Sequence, residues 1–239
     1  MPSLSQLPGL VRRHRLFAAA LALAVVPRVV VMLGFQPAVL FKLDSYDYLW
    51  DAAHLQPNPV NPNGYSLFLW LLQPLHSLAV VVAVQHVLGL VSAVLVYAVL
   101  RRLPVGAAAS TLAAATLLFD PAQFLAEQLI MADLLAMVLM IMAFAALLLR
   151  DEPSVPWTAA SGLLLGVSAV VRPTTLPLVL FFGGYLLVRR AGWRRVAAVL
   201  AGGAVPLLAY LSWFATVYGS FNFSNSNGLF LWSRTMSFA

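Results

Sequence analysis

Residues 76–100 read HSLAVVVAVQHVLGLVSAVLVYAVL, without one aspartate, glutamate, lysine or arginine. A helix rises about 1.5 Å per residue, so this run is long enough to cross the roughly 30 Å hydrocarbon core of a bilayer. Its apolar residues are continuous and do not alternate with period two, which favours a helix that satisfies its own backbone in lipid over a strand of a barrel. Outward from it, comparable runs cover about 16–36, 105–119, 124–149, 156–171, 174–189 and 195–218. The pattern predicts an all-α polytopic membrane protein with about seven transmembrane helices. Composition agrees: the chain is 62% hydrophobic and 9% charged, with a mean hydropathy of +0.90, far from the make-up of a water-soluble domain.

The absence of cysteine excludes disulfides, thiolate metal sites and thiol nucleophiles. Arg12-Arg13-His14-Arg15 precedes an apolar run that continues past Val25 to Gly34 with no convincing small-x-small cleavage site, which reads as a signal anchor and not a cleaved signal peptide. Thirteen of the fourteen basic residues are arginine and alanine is abundant, a composition that points to a GC-rich bacterial genome.

The net charge of +6 is distributed as a membrane topology and not as a nucleic-acid surface. Arg12, Arg13, Arg15, Arg101, Arg102, Arg150, Arg189, Arg190, Arg194 and Arg195 fall on one side if the chain crosses at each run. By the positive-inside rule that side is cytoplasmic. Asp44, Asp47, Asp51, Asp120, Glu127 and Asp133 gather at the other side or in the outer halves of spans, so the chemistry is expected to face outward, from a bacterial plasma membrane.

The longest outer segment before the tail is 37–64, and it holds Asp44-Ser45-Tyr46-Asp47-Tyr48-Leu49-Trp50-Asp51, with three of the eight acids. On a helical wheel Asp44, Asp47, Asp51 and His54 share a stripe about 80° wide, with Leu43, Tyr46, Leu49, Trp50 and Ala53 opposite. This predicts a helix lying in the membrane interface with Tyr and Trp at headgroup depth. A plainer reading makes Asp44 a helix N-cap, Asp47 its capping-box partner, and the stripe a solvated face.

These residues resemble a known family. Asp44-Ser45-Tyr46-Asp47-Tyr48-Leu49, followed by Asn63-Gly64-Tyr65-Ser66-Leu67-Phe68-Leu69, is similar to the first outer loop of GT-C glycosyltransferases. The likeness is to bacterial members related to protein O-mannosyltransferases and aminoarabinose transferases. Asp120-Pro121 with Glu127 and Met131-Ala132-Asp133 resembles the third outer turn and fourth helix. Arg172-Pro173-Thr174 resembles the stretch after the fifth helix, and Ser226-Asn227-Gly228 with Trp232 the loop after the seventh. The resemblance implies transfer of a sugar from a polyprenyl-phosphate donor to a hydroxyl of a glycan, lipid or protein, with Asp44 as general base. It implies Asp47, Asp133, Arg172, Tyr48, Tyr65 and Arg234 as substrate-binding residues. It also implies that 1–218 form a seven-helix membrane module and that 219–239 begin an outer part that continues beyond them.

The chemistry suits these residue types. The donor carries its own leaving group, a lipid phosphate, so the protein must deprotonate a hydroxyl and stabilise the charge left on phosphate. A carboxylate with a raised pKa does the first. A guanidinium, binding phosphate through two parallel hydrogen bonds, does the second, with Arg172 the first choice ahead of Arg234, Lys42 and Arg28. Arg28, inside the first span, needs an acid and is expected to pair with one such as Asp133. Asp133 reads as deeper than Glu127. The histidines lack zinc spacing, while Asp44 and Asp47 offer oxygen ligands to a divalent cation such as magnesium or manganese. The competing classes are a multi-pass transporter, although no inverted repeat is visible, and a non-catalytic lipid-binding subunit.

Overall fold

In the computed structural model the described residues are 14–236, and among them no strand forms; an isolated bridge joins Val39 to Leu129. The helices are α1 (Arg15–Leu23), α2 (Val25–Gly34), α3 (Asp44–His54), α4 (Gly64–Leu72), α5 (Leu78–Leu100) and α6 (Ala107–Phe119). They continue with α7 (Pro121–Gln128), α8 (Ala132–Leu148), α9 (Val155–Val171), α10 (Pro177–Val188), α11 (Trp193–Tyr218) and α12 (Asn227–Met236). Three stretches are long and apolar enough to cross a membrane, namely Arg15–Gly34, Leu78–Leu100 and Trp193–Tyr218. Ala107–Phe119, Ala132–Leu148, Val155–Val171 and Pro173–Val188 are apolar but shorter. This is the make-up of a helical membrane protein.

One expected span is broken and one only kinks. The run 16–36 turns at Ala24 between α1 and α2, where Ala24 keeps helical backbone and its N–H on the Ala20 carbonyl. The run 124–149 divides into α7 and α8, with Leu129 and Met131 in extended backbone between them. Side chains replace the helical bonds given up there. Gln85 Nε2 donates to the carbonyls of Glu127 and Leu129 at 2.8 and 2.9 Å, and Ser45 Oγ donates to that of Ile130 at 2.8 Å. A buried carbonyl that leaves the helical ladder needs such a partner. The break at Arg172 follows from the sequence: the residue before a proline is pushed to extended backbone, and Arg172 has φ −141° and ψ 107° ahead of a 3₁₀ turn over Pro173–Thr175.

The chain forms two compact units, Met1–Val39 with Leu78–Leu129 and Leu40–Ser77 with Ile130–Ala239. In the first, α1, α5 and α6 close over Phe17, Ala24, Ala93, Tyr97, Ala114 and Leu118, with the Phe17 and Tyr97 rings stacked at 4.0 Å. In the second, Ala143, Leu147, Leu165, Val179, Phe182, Leu186 and Val199 make the core.

Helices α9 and α11 of the second unit touch backbone to backbone. A Cβ on Gly162 would lie 2.0 Å from the Val199 carbonyl oxygen, and one on Gly166 would lie 2.3 Å from that of Gly203. The spacing Gly162-x-x-x-Gly166 is the small-residue pattern that lets helices in lipid pack by van der Waals contact. The same device seats α4: a Cβ on Gly64 would lie 2.6 Å from the Val171 nitrogen. That contact fixes the start of α4 against the end of α9, where Arg172 follows.

Candidate active site

The candidate site is built from the second unit. Its foundation is the start of α3, where Leu43 adopts φ 73° and ψ −70° and the Asp44 N–H donates to the Lys42 carbonyl at 3.1 Å. This is a γ-turn of the rare, strained positive-φ kind, unfavourable for a branched side chain. Ser45 secures it, accepting from the Phe41 N–H at 2.8 Å while donating to Ile130. Asp44 is therefore the first helical residue, and its side chain does not cap α3, which removes the capping-box reading. With Asp47 it lies in the first turn, where the helix dipole favours negative charge.

Leu43, Tyr46 and Trp50 are exposed, whereas Ser45, Tyr48, Asp51 and Ala52 are buried. The aromatic face of α3 therefore points away from its unit and the acid stripe turns toward it, which is not the arrangement of a fully solvated acid face. His54 leaves the carboxylates, stacking on Trp50 at 3.9 Å with its Nδ1 2.9 Å from the Trp50 carbonyl oxygen. Asp44 and Asp47 are half-buried.

Asp51 is 4% exposed. Its Oδ1 accepts from Asn58 Nδ2 at 3.2 Å, and its Oδ2 has no partner. Burial pushes its carboxyl up to about 6, against the Asn58 hydrogen bond, which favours the charge. Burial, followed by the neighbouring Asp44 charge, raises Asp47 as well.

Tyr48 and Tyr65, expected to bind substrate, are fully buried and meet edge to face at 5.1 Å, forming the seam between α3 and α4. Burial pushes the Tyr48 hydroxyl up to about 12, with Arg172 opposing the rise and Asp44, Asp133 and Asp47 adding to it. The charges of Asp44, Asp47, Asp133 and Arg172 thus lie within electrostatic range of one buried phenol.

Asp133 lies in the first turn of α8 and takes an ion pair from Arg172 Nη2. Arg172 Nε is buried without a partner. Two sequence expectations change here. Arg28 pairs with Glu127, and Asp133 with Arg172. Asp133 is also the exposed acid of the two, with its side chain 60% accessible, while Glu127 is fully buried. The cause is the break at 129–131, which restarts the helix at Ala132 and leaves Asp133 at its open end. The side chain of Arg234, like residues 1–13 with Arg12 and Arg13, lies outside the described residues.

Glu127 belongs to a network in the first unit that sequence reasoning did not assemble. Glu127 Oε1 accepts from Arg28 Nη2 at 2.7 Å and Gln123 Nε2 at 3.0 Å, and its Oε2 lies 2.6 Å from His86 Nδ1. Gln128 Oε1 lies 3.1 Å from His86 Nε2, while Gln128 Nε2 donates to the Phe35 carbonyl. A Cβ on Gly89 would stand 1.8 Å from Glu127 Oε1, so only glycine leaves room for this carboxylate.

The second omission is the loop QPNPVNPN over 56–63, whose asparagines organise the acid stripe. Its density of Asn and Pro was the available signal. Among the described residues no group of three or more histidine, aspartate or glutamate side chains is arranged to hold a metal. Compared with protein-family models, curated proteins and solved structures, the chain matches none.

Proposed function

We propose that this chain is a membrane glycosyltransferase that moves a sugar from a polyprenyl-phosphate donor to an acceptor hydroxyl at the outer face of a bacterial plasma membrane. The observation that carries the reading is that one compact unit holds Asp44 and Asp47 in the first turn of α3 and the Asp133–Arg172 ion pair at the start of α8, a carboxylate pair and a cation of the kind the reaction needs. The resemblance of the 44–49, 63–69 and 172–174 stretches to GT-C glycosyltransferases adds the reaction class. The full reading includes seven crossings, with the four shorter apolar helices spanning alongside the three longer ones.

In this account Asp44 takes the proton from the acceptor hydroxyl as its oxygen attacks the anomeric carbon. The bond to the lipid phosphate breaks and the configuration inverts. Two glycosidase-like carboxylates are not needed, because water is not the acceptor. Arg172 neutralises the departing phosphate: its Nη2 is held by Asp133, which orients the guanidinium, and its side chain is 31% exposed, so its charge is within reach of a phosphate oxygen. Asp47 lends negative potential beside Asp44. Tyr48 and Tyr65 hold α3 against α4, and Arg234 is assigned to the donor by its place in the sequence.

A second reading is a multi-pass transporter, favoured by the buried Arg28–Glu127–His86 network, since ionisable groups at such depth often line transport paths. Purified chain in lipid nanodiscs separates the two. Donor binding and labelled-sugar transfer are measured for wild type, Asp44→Asn and Arg172→Gln. The enzyme reading expects Asp44→Asn to lose transfer but keep binding, and Arg172→Gln to weaken binding. Transfer that is absent in wild type, or equal in Asp44→Asn, overturns it.

A further inference from the structure

We infer that Asp51 is a positioning residue for Asp44, acting through a hydrogen-bond relay of Asn58 and Asn61 in the loop after α3. The inference rests on the reading of Asp44 as the base.

Asp44 and Asp51 stand seven residues apart, about 10 Å along a helix, too far to touch. The loop closes that gap. Leu55 ends α3 in the left-handed region, φ 50° and ψ 46°, with its N–H on the Asp51 carbonyl at 2.8 Å, and the chain doubles back. Asn58 Nδ2 donates to Asp51 Oδ1 at 3.2 Å. Asn58 Oδ1 accepts the Asn61 N–H at 3.1 Å, and Asn61 Nδ2 reaches Asp44 Oδ1 at 3.5 Å. That last contact is at the long end of the range, as catalytic hydrogen bonds often are before substrate arrives. The bonds thus join the two ends of the acid stripe, entering Asn61 at its backbone N–H and leaving by its side chain, while Asn58 Oδ1 also accepts the Val60 N–H at 2.7 Å.

The relay is held rigid from outside. Pro57, Pro59 and Pro62 restrict the backbone. Asn63 Oδ1 accepts from the Asn58 N–H at 2.7 Å, and Asn63 Nδ2 donates to the Gln56 carbonyl at 2.7 Å. Tyr218 donates to the Pro57 carbonyl at 2.7 Å, and the Asn225 N–H to that of Pro59 at 2.8 Å.

A simple structural brace would not require a charge at 51, since asparagine accepts the same bond. The structure instead keeps a buried carboxylate with one unpartnered oxygen, a costly arrangement. What the charge adds is a stronger grip on Asn58. The titratable groups whose electrostatics couple to Asp51 are Asp47 and His54 on α3 and Tyr210 from α11. As pH falls through about 6 Asp51 takes a proton, its grip weakens, and Asn61 is released from its orientation toward Asp44.

The test uses whole chain labelled with ¹⁵N-asparagine in lipid nanodiscs. The expected result is that the Asn58 and Asn61 side-chain amide signals shift together with one midpoint near pH 6, and that Asp51→Asn, which keeps an acceptor but no titrating group, abolishes both shifts. An Asn61 signal indifferent to Asp51→Asn overturns the relay. In transfer assays Asn61→Ala is expected to lower kcat with donor KM unchanged; kcat equal to wild type overturns the positioning role. Absence of transfer by wild type refutes Asp44 as base, while the amide signals still decide the relay.

Discussion

The two units treat the same kind of residue in opposite ways. In the first, Glu127 is sealed from solvent and both its carboxylate oxygens are met, by Arg28, Gln123 and His86. In the second, Asp44 and Asp47 are half-buried, the Asp133–Arg172 pair is partly open, and Asp51 Oδ2 and Arg172 Nε are unmatched. A saturated network has no bonds left to offer a ligand, and its worth is in fixing helices. An unsaturated one costs stability and keeps bonding capacity in reserve, as binding sites do.

The largest expected effect breaks the sealed side. Glu127→Ala removes the carboxylate and strands the buried Arg28 charge, a loss of about 3–5 kcal/mol, visible as a collapse in folded yield and thermal midpoint in detergent. A mild effect would make the first unit as tolerant as the second and dissolve the contrast.

Asp51→Asn sharpens the open side, and its sign is opposite. The folded-state pKa of Asp51, about 6, stands above its ordinary 3.8. Between those values the folded chain binds more protons than the unfolded one, so the stability contribution is full below about 4 and is lost as pH rises through 6. Asp51→Asn is therefore expected to stabilise the protein above pH 6, by about 3 kcal/mol at most, with the gain vanishing toward pH 4. Denaturation at several pH values checks it. A gain independent of pH contradicts the assignment.

The smallest effect concerns packing. Gly162→Ala forces α9 from α11 and is expected to cost about 1–3 kcal/mol at every pH, so the second unit's rigidity rests on helix contact and not on its ions. A pH-dependent cost, followed by the same denaturation series, would tie the helices to the charges.

Much of this was legible in the sequence. The 76–100 run announced a helical membrane protein because length and apolarity alone decide that question. The wheel over 44–54 identified the acid stripe but not its direction, since periodicity does not say which face turns inward. The break at Arg172 was written in Pro173. The break at 129–131 was not, because it is stabilised by Gln85, more than forty positions away in the chain, and hydropathy carries no sign of such a partner. For the same reason Arg28 was matched to the wrong acid. The relay was missed because each asparagine of 56–63 reads alone as a turn former.

The most direct measurement is the ratio of sugar transfer to donor occupancy for Asp44→Asn against wild type, with a labelled polyprenyl-phosphate sugar and membrane acceptors. The account predicts undiminished occupancy and a ratio reduced about 10²–10⁴-fold, the usual worth of a general base. An unchanged ratio would contradict it.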